Sequence, residues 1–593
     1  MEKKTYSQIQ EELAKTDLSQ LPEINISVLR NIMLEPIEPY LRYHAYRMGY
    51  NAAVSFGEYD TIYQDAVGGN AKLFHAKTDC ILLFTYLENL SWNLSRNFAG
   101  LDARQVQEEI EIIHAHINAT LSGIRRQSDA MILWHSFEVP VEPGLGIFDS
   151  QSDTGQLAVI RSLNEFLRTS LNEAANAYFV DINLCLGRIG AKNFYDARYW
   201  HLGRAPYTRE ALREIASEDY KFIRPLKGKI KKCLVLDCDN TLWGGIIGED
   251  GLSGIKLGKT YPGSAYYEFQ QEIINLYYRG VIIALCSKNN ESDVWEVFQK
   301  HPDMLLKQEH IAASQINWLD KAQNLRQLAQ DLNIGLDSMV FADDNEFEID
   351  LVRRELPEVT AIQLPRDKAV DYRNLLVACG LFDTLTISRE DKNRGNMYKA
   401  EAGRKKHQAQ SSDLESYYKS LDMIVEVRLA DDFSVPRIAQ QTQKTNQFNL
   451  TTRRYSDADI QRLMQNDASA VLYLKLSDRF GDSGIVGTCI LKYGQGKAVV
   501  DTFLLSCRVL GRGVEDVFLI QAMKLAKKRG CLRAVGEYYA TPKNRQVEFF
   551  YSQRGFLEDE VPSGDADRTF SYDLTKEFPK EHPYFKEVKS DID

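Results

Sequence analysis

The stretch L234-V-L-D-C-D-N-T-L-W-G-G245 places a short apolar run directly before two aspartates. Asp237 and Asp239 flank Cys238. A short apolar run that ends in polar residues is typical of a strand buried on both faces of a parallel sheet. In an extended chain, residues i and i+2 point to the same side and the residue between them points to the other. The stretch therefore predicts two carboxylates that face one crevice and a cysteine turned toward the sheet interior.

Two later strands are predicted to bring further polar groups to the same crevice. V281-I-I-A-L-C-S ends at Ser287, and S338-M-V-F-A-D-D ends at Asp343 and Asp344. Lys321 stands near the start of the helical pattern between them. Ligands of parallel α/β sheets bind beyond the carboxyl ends of the strands. Clustered carboxylates repel unless a cation relieves them, and Mg²⁺ takes oxygen ligands while keeping positions for phosphate oxygens. The pattern predicts a magnesium-dependent phosphoryl-transfer site.

The distribution of strand and helix patterns predicts an α/β chain of three domains. Residues 1–225 alternate apolar runs with helical stretches, and residues 226–385 show the strands of a Rossmann-like parallel sheet. A basic connector, K227-G-K-I-K-K232, leads into the first of these strands. Residues 386–419 are expected to form a polar helical linker, and residues 420–593 an antiparallel-rich module closed by the helix V514–K528.

Composition excludes several classes of protein. The chain has 593 residues, 44% of them hydrophobic and 26% charged, which is typical of a soluble globular protein. The net charge of -11 argues against a nucleic-acid partner. We find no apolar run long enough for a membrane span and no leader peptide, so we expect a cytoplasmic protein. None of the nine cysteines forms a C-x-x-C pair, which argues against a zinc site and a disulfide framework.

The order of these motifs resembles that of the haloacid dehalogenase (HAD) superfamily, with D-x-D-x-T followed by Ser, Lys and an Asp-Asp pair. The resemblance implies that Asp237 is the nucleophile and a magnesium ligand, and that Asp239 is the general acid/base. Ser287 and Lys321 would hold the phosphoryl group. The magnesium set would comprise the aspartates of the first and last motifs, Asp237, Asp239, Asp343 and Asp344.

Flanking motifs resemble the FkbH-like subfamily over nearly the whole chain. They include T241-L-W-G-G-I-I-G-E-D-G251, Q443-K-T-N-Q-F-N-L-T-T-R-R-Y455, D478-R-F-G-D-S-G-I-V-G487 and F194-Y-D-A-R-Y-W-H-L-G-R204. The resemblance implies transfer of a glyceryl unit from 1,3-bisphosphoglycerate to the phosphopantetheine arm of an acyl carrier protein in polyketide-type biosynthesis. A thiol must then attack the carbonyl carbon, with Lys321 and magnesium stabilising the phosphate that leaves.

Two cysteines are candidates for that thiol. Cys238 lies between the catalytic aspartates but is expected to face the sheet interior as a small hydrophobic residue. Cys507 precedes R508-V-L-G-R-G513, which resembles the coenzyme A loop of GNAT acyltransferases. That resemblance implies a phosphate cradle formed by Arg508, Gly511 and Gly513, with Cys507 close to the arriving thioester. We favour Cys507. The nearby run Lys444–Leu450 either lines the acyl pocket or forms a plain helix-to-loop transition.

The first segment resembles a degenerate SGNH hydrolase domain. The G-D-S motif is absent, since the corresponding region reads V28-L-R-N-I-M-L-E-P, and the D-x-x-H signature is also missing. We therefore expect His135 and His201 to be structural, and the domain to serve carrier docking or oligomerisation.

Two other functions remain open from the sequence. One is a magnesium-dependent HAD phosphatase fused to a coenzyme A-dependent N-acyltransferase that acts on a sugar or an amino acid. The other is a scaffold that only docks carrier proteins, although a complete aspartate set argues against it.

Overall fold

The computed structural model describes residues 4–592 except 379, 388–396, 398–399, 401–403, 405–406, 409–412, 560–567 and 580–581. The chain divides into two compact units, Met1–Arg224 and Pro225–Asp593. None of the helices in the described part of the chain is long and apolar enough to cross a bilayer.

The first unit contains a parallel sheet of five strands. The strands are β1 (Glu23–Arg30), β2 (Asn51–Phe56), β3 (Cys80–Phe84), β4 (Met131–His135) and β5 (Ala177–Val180), in the order β2-β1-β3-β4-β5. Its helices are α1 (Tyr6–Lys15), α2 (Glu38–Arg47), α3 (Ile62–Gly68), α4 (Leu87–Leu90), α5 (Trp92–Arg96), α6 (Ala103–Gln127), α7 (Gln156–Glu173), α8 (Ile182–Ile189), α9 (Ala191–Phe194), α10 (Ala197–Gly203) and α11 (Arg209–Leu226), the last of which runs into the second unit.

The second unit begins with another parallel sheet of five strands. They are β6 (Cys233–Leu236), β7 (Ile282–Ser287), β8 (Ile311–Ile316), β9 (Met339–Asp343) and β10 (Thr360–Gln363), in the order β10-β9-β6-β7-β8. The helices around this sheet are α12 (Ile247–Gly254), α13 (Gly263–Tyr278), α14 (Glu291–Lys300), α15 (Lys321–Leu332), α16 (Glu346–Glu355) and α17 (Tyr372–Ala378).

The alternation of side chains along β6 explains why the sheet needs helices on both faces. Leu234 and Leu236 belong to one buried cluster, whereas Cys233 and Val235 belong to another. A strand buried on both sides reads as a continuous apolar run, which is the pattern in the sequence. Cys238 continues the Leu234 and Leu236 side, so it lies in the core as predicted.

The remainder of the second unit is built on a mixed sheet of eight strands. They are β11 (Ile424–Leu429), β12 (Ser469–Asp478), β13 (Gly481–Gly494), β14 (Lys497–Leu505), β15 (Arg533–Tyr538), β16 (Leu557–Glu558), β17 (Arg568–Asp573) and β18 (Glu587–Ser590), in the order β16-β17-β15-β14-β13-β12-β11-β18. Its helices are α18 (Leu414–Ser420), α19 (Val435–Lys444), α20 (Asp457–Gln465) and α21 (Val514–Lys528).

Strands β14 and β15 pair in parallel only over their first residues, and the chain itself fills the gap beyond. The amide of Leu450 donates to the carbonyl of Phe503 at 3.1 Å, and the amide of Leu505 donates to Phe448 at 3.0 Å. On the other side, the amide of Tyr539 donates to the carbonyl of Leu450 at 2.9 Å. Residues 448–450, which we call the filler segment, therefore satisfy the backbone groups that the two diverging strands would leave unpaired.

The fold class is the one predicted, an α/β chain with two parallel sheets and one mixed sheet. Two element boundaries differ from prediction. The helical pattern W318-L-D-K-A-Q-N-L-R-Q-L-A-Q-D-L332 predicts a helix from Trp318, but the helix begins at Lys321, because the Asp320 side chain caps it by accepting from the Gln323 amide. The apolar run V499-V-D-T-F-L-L-S-C507 predicts a strand that reaches Cys507, but the strand ends at Leu505 and Cys507 begins a 3-10 turn. Much of the predicted linker, 386–419, lies outside the described residues.

Candidate functional site

The predicted catalytic groups meet at the carboxyl ends of three adjacent strands. Asp237 directly follows β6, Ser287 is the last residue of β7, and Asp343 is the last residue of β9. Since Leu236 at the end of β6 pairs with Leu285 on one side and Ala342 on the other, these side chains emerge at the same edge. We call this site the carboxylate cleft.

Lys321 is buried at the centre of the carboxylate cleft. It is the first residue of α15, and its side chain is 3% exposed. Its Nζ donates to Asp237, to Asp343 Oδ2 at 2.8 Å and to the carbonyl of Cys286 at 3.0 Å. A buried ammonium needs acceptors and negative charges of this kind, because burying a charge without a partner is strongly unfavourable. Burial opposes its charged form, but Asp237 and Asp343 outweigh that effect and raise the pKa of Lys321.

Three carboxylates of the cleft could share one metal ion. One ligand oxygen from each of Asp237, Asp343 and Asp344 lies within 4.8 Å of the others. Burial, together with the charges of Asp343 and Asp344, raises the pKa of Asp237 to about 7, although Lys321 acts in the opposite direction. Burial also raises the pKa of Asp344, while its hydrogen bond from Arg366 acts to lower it. A compact set of buried, mutually repelling oxygen ligands fits a hard divalent cation.

The carboxylate of Asp239 is held apart from that group of three. Its Oδ1 accepts from Trp243 Nε1 at 2.9 Å and from the amide of Ile247 at 3.1 Å. Its Oδ2 accepts from Asn289 Nδ2 at 3.0 Å. Both oxygens are thus engaged by the protein, which orients the carboxylate beside the cleft, as a general acid/base requires. Its predicted role as a magnesium ligand stays a prediction.

Sequence reasoning missed the groups that orient the predicted catalytic residues. Asn289 donates to Ser287 Oγ at 3.1 Å as well as to Asp239, and Arg366 donates to Asp344 Oδ2 at 2.9 Å. Asn289 follows Ser287 closely enough for the strand-end argument to include it. Arg366 lies after β10, which carries no acidic motif, so nothing in the sequence marked it.

The two candidate thiols differ in their surroundings. Cys238 is fully buried, and burial together with the charge of Asp237 raises its pKa well above the ordinary range of a thiol. Cys507 is partly exposed and accepts, through its carbonyl, a hydrogen bond of 2.6 Å from Asn333 Nδ2 at the end of α15. Cys507 is therefore the more accessible of the two thiols, and its position suits covalent chemistry better.

Cys507 lines a cavity at the other end of the parallel sheet, between that sheet and the mixed sheet of the same unit. Lys232, Ile282 and Ser338 form part of its wall, and each stands at or just before the start of β6, β7 or β9. Five residue steps lead from these positions to Asp237, Ser287 and Asp343, a distance of roughly 16 Å at about 3.3 Å per residue. Lys321 therefore cannot stabilise a phosphate that leaves during an attack by Cys507, contrary to our expectation.

The glycine-rich loop expected to cradle a phosphate is covered by the chain itself. Gly511 and Gly513 both have positive φ, of 74° and 73°. A Cβ at Gly513 would lie 2.1 Å from the Tyr584 hydroxyl and 2.6 Å from His582 Cδ2, whereas one at Gly511 would meet nothing within 4 Å. Arg508 is buried and donates to Ser506 Oγ at 3.1 Å. A phosphate at this helix start would have to displace His582 and Tyr584.

The run Lys444–Leu450 has the helix-to-loop form that was one of its two interpretations, and its role in an acyl pocket stays a prediction. Lys444 ends α19, so the run is a helix-to-loop transition. Its residues from Lys444 to Phe448 also line the cavity beside Cys507.

His135 and His201, the two histidines of the first unit predicted to be structural, differ in burial. His135 is buried, with Nδ1 2.9 Å from the carbonyl of Leu83 and Nε2 2.8 Å from Asp219 Oδ1. His201 is exposed on α10, whose first turn is capped by Asp196. Both ring nitrogens of His135 are therefore engaged within the core, as expected of a structural residue.

Comparison with solved structures identifies a similar magnesium-containing protein. The N-terminal part of the protein BF1531 from Bacteroides fragilis, which contains a phosphatase domain and was crystallised with Mg, shares 27% sequence identity with this chain. The similarity covers 65% of this chain and 100% of that one, with a TM-score of 0.58. No protein-family model matches the chain, and no curated protein does.

Further matches involve acetyltransferases, the first of them a member of the GNAT family. One from Staphylococcus aureus Mu50 has a TM-score of 0.21 and 13% identity, and covers 25% of this chain and 99% of that one. The PaiA N-acetyltransferase of Thermoplasma acidophilum, solved with coenzyme A, has a TM-score of 0.20 and 18% identity, and covers 25% of this chain and 98% of that one.

Proposed function

We propose that the chain is a magnesium-dependent enzyme that transfers the phosphoryl group of a phosphate ester to Asp237. The observation that carries this proposal is the buried Lys321 ammonium between Asp237 and Asp343, with Asp344 close enough to share an ion. A structural role alone does not account for this arrangement, because burying several like charges in one place is unfavourable. The similarity to a structure with a phosphatase domain and bound Mg supports it.

The residues of the carboxylate cleft suit a two-step displacement. A carboxylate oxygen of Asp237 attacks phosphorus, the ester P–O bond breaks, and the leaving oxygen takes a proton from Asp239. Water then attacks the phospho-aspartate, with Asp239 accepting its proton, and inorganic phosphate is released. Ser287 and Lys321 bind the phosphoryl oxygens. Asp237, Asp343 and Asp344 would hold Mg²⁺, which supplies positive charge where negative charge develops.

We further propose that the phosphate ester is a phosphoglyceryl group and that the overall reaction is FkbH-like glyceryl transfer to an acyl carrier protein. In the first step the Cys507 thiolate attacks the acyl carbon of 1,3-bisphosphoglycerate. The bond from carbon to the acyl-phosphate oxygen breaks, and inorganic phosphate leaves with the electron pair. The thiol of the phosphopantetheine arm then attacks the thioester, and Cys507 recovers its proton.

The separation of the two sites sets the order of these steps. A phosphoglyceryl group on Cys507 lies at the amino end of the sheet, and Asp237 lies at the carboxyl end. The phosphate is therefore removed after transfer to the mobile arm, when the arm can carry the group to the carboxylate cleft. The carrier protein thus contacts two faces of the second unit in turn.

The alternative is a phosphatase fused to a coenzyme A-dependent N-acyltransferase, and two features of the second unit bear on it. The filler segment occupies the space between β14 and β15, and His582 and Tyr584 cover the glycine-rich loop. An acyl-coenzyme A would need both places or a rearrangement of both. Release of free coenzyme A in the presence of a sugar or amino acid, without a carrier protein, would favour this alternative.

The phosphatase step is tested with 3-phosphoglyceryl carrier protein as substrate. We expect magnesium-dependent release of phosphate by the wild type. Asp237→Asn should lower the rate at least about a thousandfold, and Asp239→Asn about a hundredfold or more. Asp350→Asn, a surface aspartate of α16 whose side chain is 66% exposed, is the matched control and should leave the rate unchanged. Full activity of Asp237→Asn would refute the proposed nucleophile.

The acyl-transfer step is tested by intact-protein mass spectrometry after incubation with freshly generated 1,3-bisphosphoglycerate. We expect one phosphoglyceryl adduct on the wild type, absent from Cys507→Ala and present in Cys238→Ala. An adduct missing only from Cys238→Ala would move the covalent step to the carboxylate cleft. No adduct in any of the three proteins would overturn the cysteine intermediate and leave either direct transfer to the carrier thiol or a phosphatase without acyl transfer.

A further inference from the structure

The carboxyl edge of the sheet in the first unit carries an exposed apolar surface. Six large apolar side chains follow β3, β4 and β5 along the chain, and each is more than half exposed: Trp92, Val141, Ile147, Phe148, Tyr199 and Leu202. We call these six side chains the edge surface. Single exposed apolar residues are common, but a group of them at one edge of a sheet indicates an interaction site.

Hydrogen bonds hold the loop after β4 against α5. The side chain of Gln156 joins them, because its Nε2 donates to the carbonyl of Leu94 at 2.7 Å and its Oε1 accepts from the amide of Gly144 at 2.8 Å. The loop, residues 136–155, and the start of α5 together carry four of the six side chains of the edge surface. These four side chains therefore lie on neighbouring segments that are fixed to each other.

The other two side chains of the edge surface lie on α10. This helix is anchored at the end of β3, because the buried ring of Trp200 packs 5.0 Å from the ring of Tyr86. Tyr199 and Leu202 are three residues apart, so they share one face of the helix, and they are 57% and 71% exposed. The helix is thus fixed by its buried tryptophan and leaves an apolar pair at the surface.

Charges at this edge are separated by sign. The loop 136–155 contains four acidic residues and no basic residue, whereas residues 191–204, which include α10, contain three lysine or arginine residues and one acidic residue. Within the described residues, the exposed charges of these two segments take part in no ion pair: Glu142, Asp153, Lys192, Arg198 and Arg204. The loop would repel an acidic partner, and α10 would repel a basic one.

We propose that the edge surface is the interface of a homodimer in which two copies of this chain pack with twofold symmetry. In such an interface both copies contribute the same patch. A twofold rotation places the acidic loop of one copy opposite the basic α10 of the other, so opposite charges meet across the interface. A second copy therefore satisfies both signs of charge at once, which a partner of uniform charge does not.

The apolar area of the edge surface is large enough for a stable dimer. Side chains of this size and exposure present roughly 100 to 150 Å² each, so the six present on the order of 800 Å². That is about the area that each partner buries in a stable complex. It also exceeds the patch of about 300 to 600 Å² that a typical monomer leaves exposed.

The inference does not depend on the proposed function. The carboxyl edge of a parallel sheet is the usual place for a ligand site. In the first unit, however, the sequence lacks the G-D-S and D-x-x-H motifs of a hydrolase. The apolar side chains that occupy this edge instead assign the first unit a role in joining two chains.

Sedimentation velocity of the 593-residue chain over a wide range of protein concentration tests the proposal. We expect the mass of two chains for the wild type. Ile147→Glu and Leu202→Glu should each raise the dissociation constant of the dimer about a hundredfold or more, because twofold symmetry puts two added charges into one interface. Ile147 is 95% exposed, so its substitution should leave the fold intact, which circular dichroism checks.

Ile112→Glu is the matched control. Ile112 is also exposed, at 61%, but it lies on α6 outside the edge surface, so its substitution should leave the dissociation constant unchanged. Ile147→Ala adds no charge and should raise the constant about tenfold, and it replaces a glutamate variant that does not fold. A monomeric wild type overturns the proposal and leaves the edge surface to another protein, such as the carrier protein. A dimer that the Ile147 and Leu202 variants leave as tight as Ile112→Glu also overturns it.

Discussion

Lys321 supplies the positive charge that offsets the buried carboxylates of Asp237 and Asp343. Because its ammonium bonds to both carboxylates, its loss leaves buried acids without a counter-charge. We expect Lys321→Met to destabilise the second unit by about 3 to 5 kcal/mol in the absence of metal. Added Mg²⁺ should recover part of this loss, because it neutralises the same oxygens. Thermal unfolding with and without Mg²⁺ measures both effects.

A surface lysine provides the comparison for that experiment. Lys300 pairs with Glu296 at 2.8 Å with a side chain that is 63% exposed, so Lys300→Met should change stability by less than about 0.5 kcal/mol. Equal stability of Lys321→Met and Lys300→Met would mean that the cleft carboxylates are protonated or relaxed without the lysine.

The position of individual cleft residues could be predicted from the sequence where a strand end or helix start marked them. Asp237, Ser287 and Asp343 terminate apolar runs, and Lys321 opens a helix, so their meeting point could be inferred. The bonds from Trp243 and Asn289 to Asp239 could not, because they depend on how the turn after β6 folds back. Asn240, with a φ of +53°, makes that turn possible.

At the scale of elements, the covered start of α21 can be tested with two glycines of the same loop. Gly511 and Gly513 have nearly equal positive φ, so an alanine costs about 1 kcal/mol of backbone strain at either position. Only at Gly513 would the new Cβ collide with His582 and Tyr584. We expect Gly513→Ala to cost about 1 to 3 kcal/mol more than Gly511→Ala.

Hydrogen exchange separates that collision from general strain. In Gly513→Ala the amides around Tyr584 should exchange faster than in the wild type, and in Gly511→Ala they should be unchanged. Equal amide exchange around Tyr584 in both variants would show that His582 and Tyr584 do not pack against the loop.

The elements of the two parallel sheets were more predictable than those of the mixed sheet. Strands β3, β4, β6, β7 and β9 are buried on both faces, so unbroken apolar runs mark them. The filler segment was not predicted, because the polar run K444-T-N-Q-F-N-L450 that contains it lacks the apolar pattern of a strand. It is ordered by Phe503 and Tyr539, which are distant in sequence.

For the whole molecule, the separate cores predict separate responses to metal. The first unit has its own buried hydrophobic cluster, whereas the proposed magnesium ligands Asp237, Asp343 and Asp344 all lie in the second unit. Binding stabilises only the folded form that contains the site, by about 2.7 kcal/mol at a hundredfold excess over Kd. We expect calorimetry to show at least two transitions, of which Mg²⁺ raises only one.

The variant Asp343→Asn should abolish that shift and leave the other transition in place. A magnesium effect on every transition would show that the chain unfolds as one cooperative body.

The surroundings of Cys507 could be predicted only in part. Its sequence neighbours identified the turn after β14, but only the packing of two sheets reveals that the turn closes a cavity.

Strands β6, β7 and β9 each present one end to the carboxylate cleft and the other to the cavity beside Cys507. For protein engineering this is a constraint, since a substitution that slides one of these strands along its axis displaces a wall of both places at once. Random mutagenesis of the strand interiors should therefore yield variants in which the carboxylate cleft and the cavity beside Cys507 are altered together. Selective redesign of the cleft or of the cavity would have to begin in the loops, because a change in a loop at one end of the sheet leaves the other end unchanged.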